Sequence, residues 1–139
     1  MSYDLQVYAR ADRLPPPETL SERVRQSHPH VTFELPLDVR TQKGFFPLRV
    51  DGVKTGFQLG LSQITEEDIE DYLEDLRESG GIAEEGDAFL RALRSNNVVL
   101  HFLCQSESEI EVAKIISEAI ARHCHGALID PQEDTQVDF

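Results

Sequence analysis

Three groups of residues have types that could do chemistry. Gly60-Leu61-Ser62-Gln63-Ile64 begins like the G-x-S-x-G turn that lifts a nucleophilic serine clear of a sheet. Ile64 stands where the second glycine should be, and the local pattern is a strand running into a capped helix. No nucleophile is assigned to Ser62 on this basis. His123-Cys124-His125 places three metal-ligating side chains in a row. Neighbours on a helix point about 100° apart and chelate poorly, and only His28 and His30 offer a second cluster. A cation is favoured at a helix C-terminus, which accounts for His123. His101, inside an apolar run, reads as a satisfied core histidine rather than a base. Arg91, Arg94 and Lys114 are too sparse for a phosphate patch, and no P-loop or dinucleotide fingerprint is present. The third group is acidic. Between Glu66 and Asp87 eleven carboxylates face a single arginine, Arg77, for a net charge of -10. The other 117 residues carry twelve bases and fifteen acids, a net of only -3. Clustered carboxylates can hold Ca²⁺ or Mg²⁺, but no D-x-[DN]-x-[DN]-G loop occurs and a straight helix splays its ligands. The expectation is no catalytic residue, no metal and no cofactor.

What the acid can do is select a partner. The whole chain carries -13 over 139 residues, so nucleic-acid phosphate and anionic membrane are repelled as main partners. Ile69, Tyr72, Leu73 and Leu76 recur at i, i+3, i+4 and i+7 and fix the inside of an amphipathic helix. Glu67, Asp71, Glu74 and Glu78 then point outward, with Glu70 and Asp75 on the flanks. Like charges recur at i, i+4 along this face, each pair costing a few tenths of a kcal/mol. Only the acids at 66–68 gain from the helix dipole. Two readings stand: a solvated face that keeps the protein soluble, and a docking surface for a basic protein.

These residues need elements to hold them. Residues 3–9 alternate as a half-buried strand, with Leu5, Val7 and Ala9 on one face. Leu14-Pro15-Pro16-Pro17 stops it and starts a short helix to about Gln26, with Leu20 and Val24 inward. Residues 31–39 alternate strictly, with Pro36 on the outward set suggesting an edge or bulge. Phe45 to Val50 and Val53 to Leu61 flank Asp51-Gly52, a two-residue hairpin signal. Thr65 opens the acidic helix, with Asp68 where a capping box has Glu or Gln, and Gly80-Gly81 closes it. A helix from about Asp87 to Ser95 turns inward Phe89, Leu90 and Leu93. Val98 to Cys104 is nearly all apolar, as in a central strand covered on both faces. Ser106 with Glu109 caps a long helix bearing Ile110, Ala113, Ile116 and Ile120, and Ala127 to Asp130 forms a short strand. Strand, helix, strand over these residues predicts a right-handed parallel crossover.

The expected architecture is α+β: one domain over 1–132, a mixed sheet of about five or six strands with helices mainly on one face, and a closing β-α-β unit. Residues 133–139 are expected as a loose polar tail. The N-terminus lacks a secretory pattern, no run reaches the roughly 20 apolar residues of a membrane helix, and two cysteines make no disulfide framework. The expectation is a cytoplasmic protein with reduced thiols and Cys104 in the core.

The layout of a compact α+β domain, an acidic helix and a β-α-β unit ending in Gly126-Ala127-Leu128-Ile129-Asp130-Pro131-Gln132 resembles small immunity proteins of bacterial polymorphic-toxin systems, including contact-dependent inhibition and type VI secretion. The resemblance implies a cytoplasmic, non-enzymatic inhibitor that binds a cognate toxin domain and occludes its active site. An acidic face would suit a basic toxin such as a nuclease or nucleic-acid deaminase. The alternative is a small-molecule-binding domain or enzyme with its site at the C-terminal ends of the parallel strands, around Cys104 to Ser106 and Asp130.

Overall fold

The computed structural model describes residues 2–80 and 87–139. Gly81, expected to close the acidic helix, and Glu84 and Glu85, two of the eleven carboxylates between Glu66 and Asp87, lie outside the described residues. The elements are β1 (Tyr3–Ala9), α1 (Pro17–Ser27), β2 (Val31–Phe33), β3 (Gly44–Val50), β4 (Val53–Gln63), α2 (Glu66–Glu78), α3 (Ala88–Ser95), β5 (Val98–Cys104), α4 (Glu107–Cys124), β6 (Ala127–Asp130) and β7 (Thr135–Asp138). The class is α+β, as expected. The strands form one seven-stranded sheet in the order β2-β3-β4-β5-β1-β6-β7, with every neighbouring pair antiparallel. This corrects the mixed sheet of five or six strands.

The closing β-α-β unit exists, but its strands are not neighbours. β1 lies between them: Val7 pairs with Leu100 of β5 on one side and Leu128 of β6 on the other. The helix crossover leaves a gap of one strand, about 5 Å from each neighbour, and β1 fills it antiparallel to both. β1 can do so because both its faces are apolar where it is covered. Leu5, Val7 and Ala9 point to α1 and α4, and Tyr8 points to α2 and α3. No adjacent pair is parallel: the strand ends that carry Cys104 and Asp130, named for the alternative site, are separated by β1.

The larger core is built from the alternate residues Leu100, Phe102 and Cys104 of β5, Phe57 and Leu59 of β4, and Phe46 and Leu48 of β3. Val112, Ala113, Ile116 and Ile120 of α4 and Leu20 and Val24 of α1 cover them. A smaller core on the opposite face joins Tyr8, Val99, Ala127 and Ile129 to Ala92 and Leu93 of α3, with Ile69 and Tyr72 of α2 packed against it. Two helices therefore lie on each face, where the sequence suggested mainly one. Both cysteines are buried free thiols, and Cys124 Sγ donates to the Ile120 carbonyl at 2.8 Å.

Local chemistry explains the element ends. Asp51 (φ 52°) and Gly52 (φ 78°) both take the left-handed conformation of a tight hairpin, with Val50 opposite Val53. β2 ends at Phe33 although the alternation continues to Val39. The Asp38 carbonyl accepts from Thr41 and Gln42 N–H, and its carboxylate accepts from Arg40 N–H, so the chain turns instead. Leu37 and Val39 still reach the core from this loop. The segment expected as a loose tail instead carries β7, which pairs Asp138 with Ala127 and Val137 with Leu128. Gln132 prepares this edge by imitating a peptide group: its Oε1 accepts from Asp4 N–H at 2.6 Å and its Nε2 donates to the Asp4 carbonyl at 2.7 Å. Among the described residues no helix is long and apolar enough to cross a membrane.

Candidate docking surface

α2 is fixed at its start by backbone chemistry. Ile64 N–H donates to the Asn97 carbonyl at 2.9 Å, which ties the end of β4 to the α3–β5 turn. Thr65 Oγ1 accepts from Asp68 N–H at 3.3 Å, and Asp68 Oδ2 accepts from Thr65 N–H at 2.7 Å. The aspartate thus closes a full capping box in place of the usual Glu or Gln.

The rest of the helix is held lightly. None of its residues is fully buried; Ile69, Tyr72, Leu73 and Leu76 are half-buried. The attachment runs through rings. Tyr72 meets Phe89 edge to face at 4.7 Å, and Phe89 meets Tyr8 of the sheet at 5.6 Å. The Tyr72 hydroxyl donates to Asp87 Oδ2 at 2.8 Å, while Asp87 Oδ1 caps α3 by accepting from Leu90 N–H at 2.9 Å. One carboxylate therefore starts α3 and anchors α2. Burial and the adjacent Asp87 push the Tyr72 hydroxyl up to about 12. The Leu90 N–H holds the Asp87 carboxyl below its ordinary value; burial opposes this and the Tyr72 hydroxyl adds to it.

The six residues expected to bind a partner, Glu67, Glu70, Asp71, Glu74, Asp75 and Glu78, are all exposed. With Glu66 and Asp68 they give the helix eight acids against Arg77. Among the described residues no ion pair uses a carboxylate of α2; the pairs that form are on other elements, such as Arg49–Glu34 and Arg122–Glu118. A helix of 13 residues is about 20 Å long at 1.5 Å per residue. It presents an uncompensated anionic strip of that length.

The face of the sheet that α2 and α3 cover is covered only in part. Strand register places Phe45, Gln58, Leu103 and Asp4 in one row across β3, β4, β5 and β1. Gly60, His101 and Gln6 form the next row. Phe45 is 53% exposed and Leu103 43%. Val99, one row further, is buried beneath the helices. The run Val98 to Cys104 is thus covered on both faces only at its start, which corrects the expectation for the whole strand. Phe45 and Leu103 were not picked out from sequence. The signal was available for one of them: Phe45-Phe46 are adjacent in a strand, so one ring must leave the core face.

The two weaker groupings resolve differently. Ser62 Oγ and His101 Nε2 lie 3.0 Å apart on neighbouring strands, so His101 is a half-buried, partnered residue. Among the described residues no carboxylate hydrogen-bonds its other ring nitrogen, the orienting contact a nucleophilic triad uses. His123, Cys124 and His125 diverge: Cys124 turns inward to its own helix, and His125 is exposed in the left-handed conformation (φ 52°) that ends α4. Burial, then Arg23 and His125, lower the His123 pKa, so the cation expected at this helix end is disfavoured. No three His, Cys, Asp or Glu side chains among the described residues converge as a metal site.

Comparison with protein families, with curated proteins and with solved structures gives no match.

Proposed function

We propose that this chain is a cytoplasmic, non-enzymatic binding protein that neutralises a basic toxin domain, a nuclease or nucleic-acid deaminase, by docking on it and occluding its active site. The observation that carries this reading is the uncompensated acid of α2. Like carboxylates at i, i+4 raise the energy of the helix, one arginine stands against eight acids, and among the described residues no ion pair forms to them. Such a face suits a surface whose complement comes from outside the chain. A field of this sign accelerates encounter with a basic partner by one to three orders of magnitude at low salt.

The test uses the C-terminal domain encoded by the adjoining gene as probe. Glu67, Asp71, Glu74 and Glu78 changed together to Lys move the strip by eight charge units. The association rate constant is expected to fall at least roughly tenfold at low salt, and its salt dependence to flatten or reverse. An unchanged rate and salt slope refute the docking role of α2.

A further inference from the structure

We infer that the open half of the sheet face beside α2 is the apolar centre of this docking surface, with Phe45 and Leu103 as anchors on either side of Gln58 and a bare patch at Gly60 in the next row toward α2. The inference rests on the reading of α2 as a steering face for a basic protein domain, and it names where that domain is gripped. Phe45 and Leu103 are separated by one strand, so they stand about 10 Å apart at the usual strand spacing. They share a row with Gln58, and the next row holds Gly60, His101 and Gln6. The patch is thus neutral or uncharged polar between its two apolar anchors, with Asp4 at its end. Interface centres have this composition, depleted of charge and surrounded by a polar rim. A steering strip without such a centre gives rate more than affinity.

Gly60 shapes the patch. A side chain there would meet only His101 Cβ, at 4.0 Å, so the space above it is open and a partner side chain can rest on the backbone. The occupant is assigned by charge. A second copy of this chain would bring another strongly acidic helix against α2 and the rows next to it and be repelled there; the cations of this face, Arg49 and Lys54, lie two rows beyond Phe45, away from α2. A basic domain would place cations against that helix while covering Phe45 and Leu103.

The experiment measures binding of the full chain to the same adjoining-gene domain, with thermal melts as the control for folding. Phe45→Ala and Leu103→Ala alter exposed side chains, so the variants are expected to fold. Each should weaken binding by roughly 30-fold or more, the cost of an interface hot spot of about 2 kcal/mol, through faster dissociation and with the salt slope unchanged. Gly60→Gln keeps both anchors and fills the patch; it should weaken binding at least tenfold. If all three bind within twofold of the wild type while the four-lysine variant is impaired, the sheet face is overturned and the α2 reading stands. If these three weaken binding and the four-lysine variant does not, the α2 reading fails and the sheet face stands. A domain that does not bind the wild-type chain overturns both.

Discussion

The attachment of α2 depends on one carboxylate, and a double-mutant cycle isolates it. Asp87→Ala removes the cap of α3, worth about 1 kcal/mol, and the acceptor of the Tyr72 hydroxyl. A hydrogen bond of this kind contributes about 1 kcal/mol net, so the substitution should cost about 2 kcal/mol. Tyr72→Phe keeps the ring against Phe89 and loses only the hydroxyl, at about 1 kcal/mol. The two bonds share Asp87, so the double variant should cost no more than Asp87→Ala alone, and the coupling energy should be about 1 kcal/mol. For a chain of this size each kcal/mol corresponds to about 4 °C in Tm. The pH dependence has a definite sign. The folded Asp87 carboxyl titrates below its ordinary value, so its contribution is present above the unfolded value of about 3.9 and is lost as pH falls through the folded one. Denaturant melts at neutral pH and at pH 3 give the energies, and amide hydrogen exchange gives their location. In Tyr72→Phe the amides of α2 should exchange faster while those of β1 and β5 change little. Additive costs within about 0.3 kcal/mol, or unchanged exchange in α2, would refute the shared anchor.

Two further outcomes are expected. Asp130 accepts from the Tyr3 hydroxyl, Gln132 Nε2 (2.8 Å) and Glu133 N–H (3.2 Å); burial pushes its carboxyl up, but these bonds leave it below the ordinary value. Asp130→Asn should therefore cost about 1–3 kcal/mol at pH 7, with the deficit shrinking below about pH 4 in urea melts. At Gly126 a Cβ would come within 2.3 Å of the Tyr8 carbonyl oxygen, a collision of backbone that no side-chain rotation relieves. Gly126→Ala should lower stability by about 2 kcal/mol or more, read as a fall in the denaturation midpoint.

Much of the fold was legible because it is written in local chemistry. The alternation of residues 3–9, the turn at Asp51-Gly52 and the caps at Thr65 and Ser106 each act within a few residues, and each appears in the structure. The position of β1 did not, because a period of two says that a strand is flanked and not by which strands. β7 escaped notice because Thr135-Gln136-Val137-Asp138 is an edge with little to bury and pairs through its backbone. The alternation past Phe33 misled for the opposite reason: Leu37 and Val39 are core residues, delivered by a turn rather than by a ladder. For the site, the acidic strip was plain from spacing alone. Its apolar neighbours were not, since Leu103 belongs to a run whose covering stops partway along the strand.

The place of β1 also bears on how the chain is made. Its neighbours in the sheet are residues 98–104 and 127–129. β1 must therefore wait for more than a hundred residues of synthesis before its second side is closed. Until then Leu5, Val7 and Tyr8 lie on a strand with at least one unpaired edge, and closing so long a loop is intrinsically slow. The strand that closes the second side of β1 is separated from it by most of the chain, and the interval before the two pair leaves the chain exposed to aggregation.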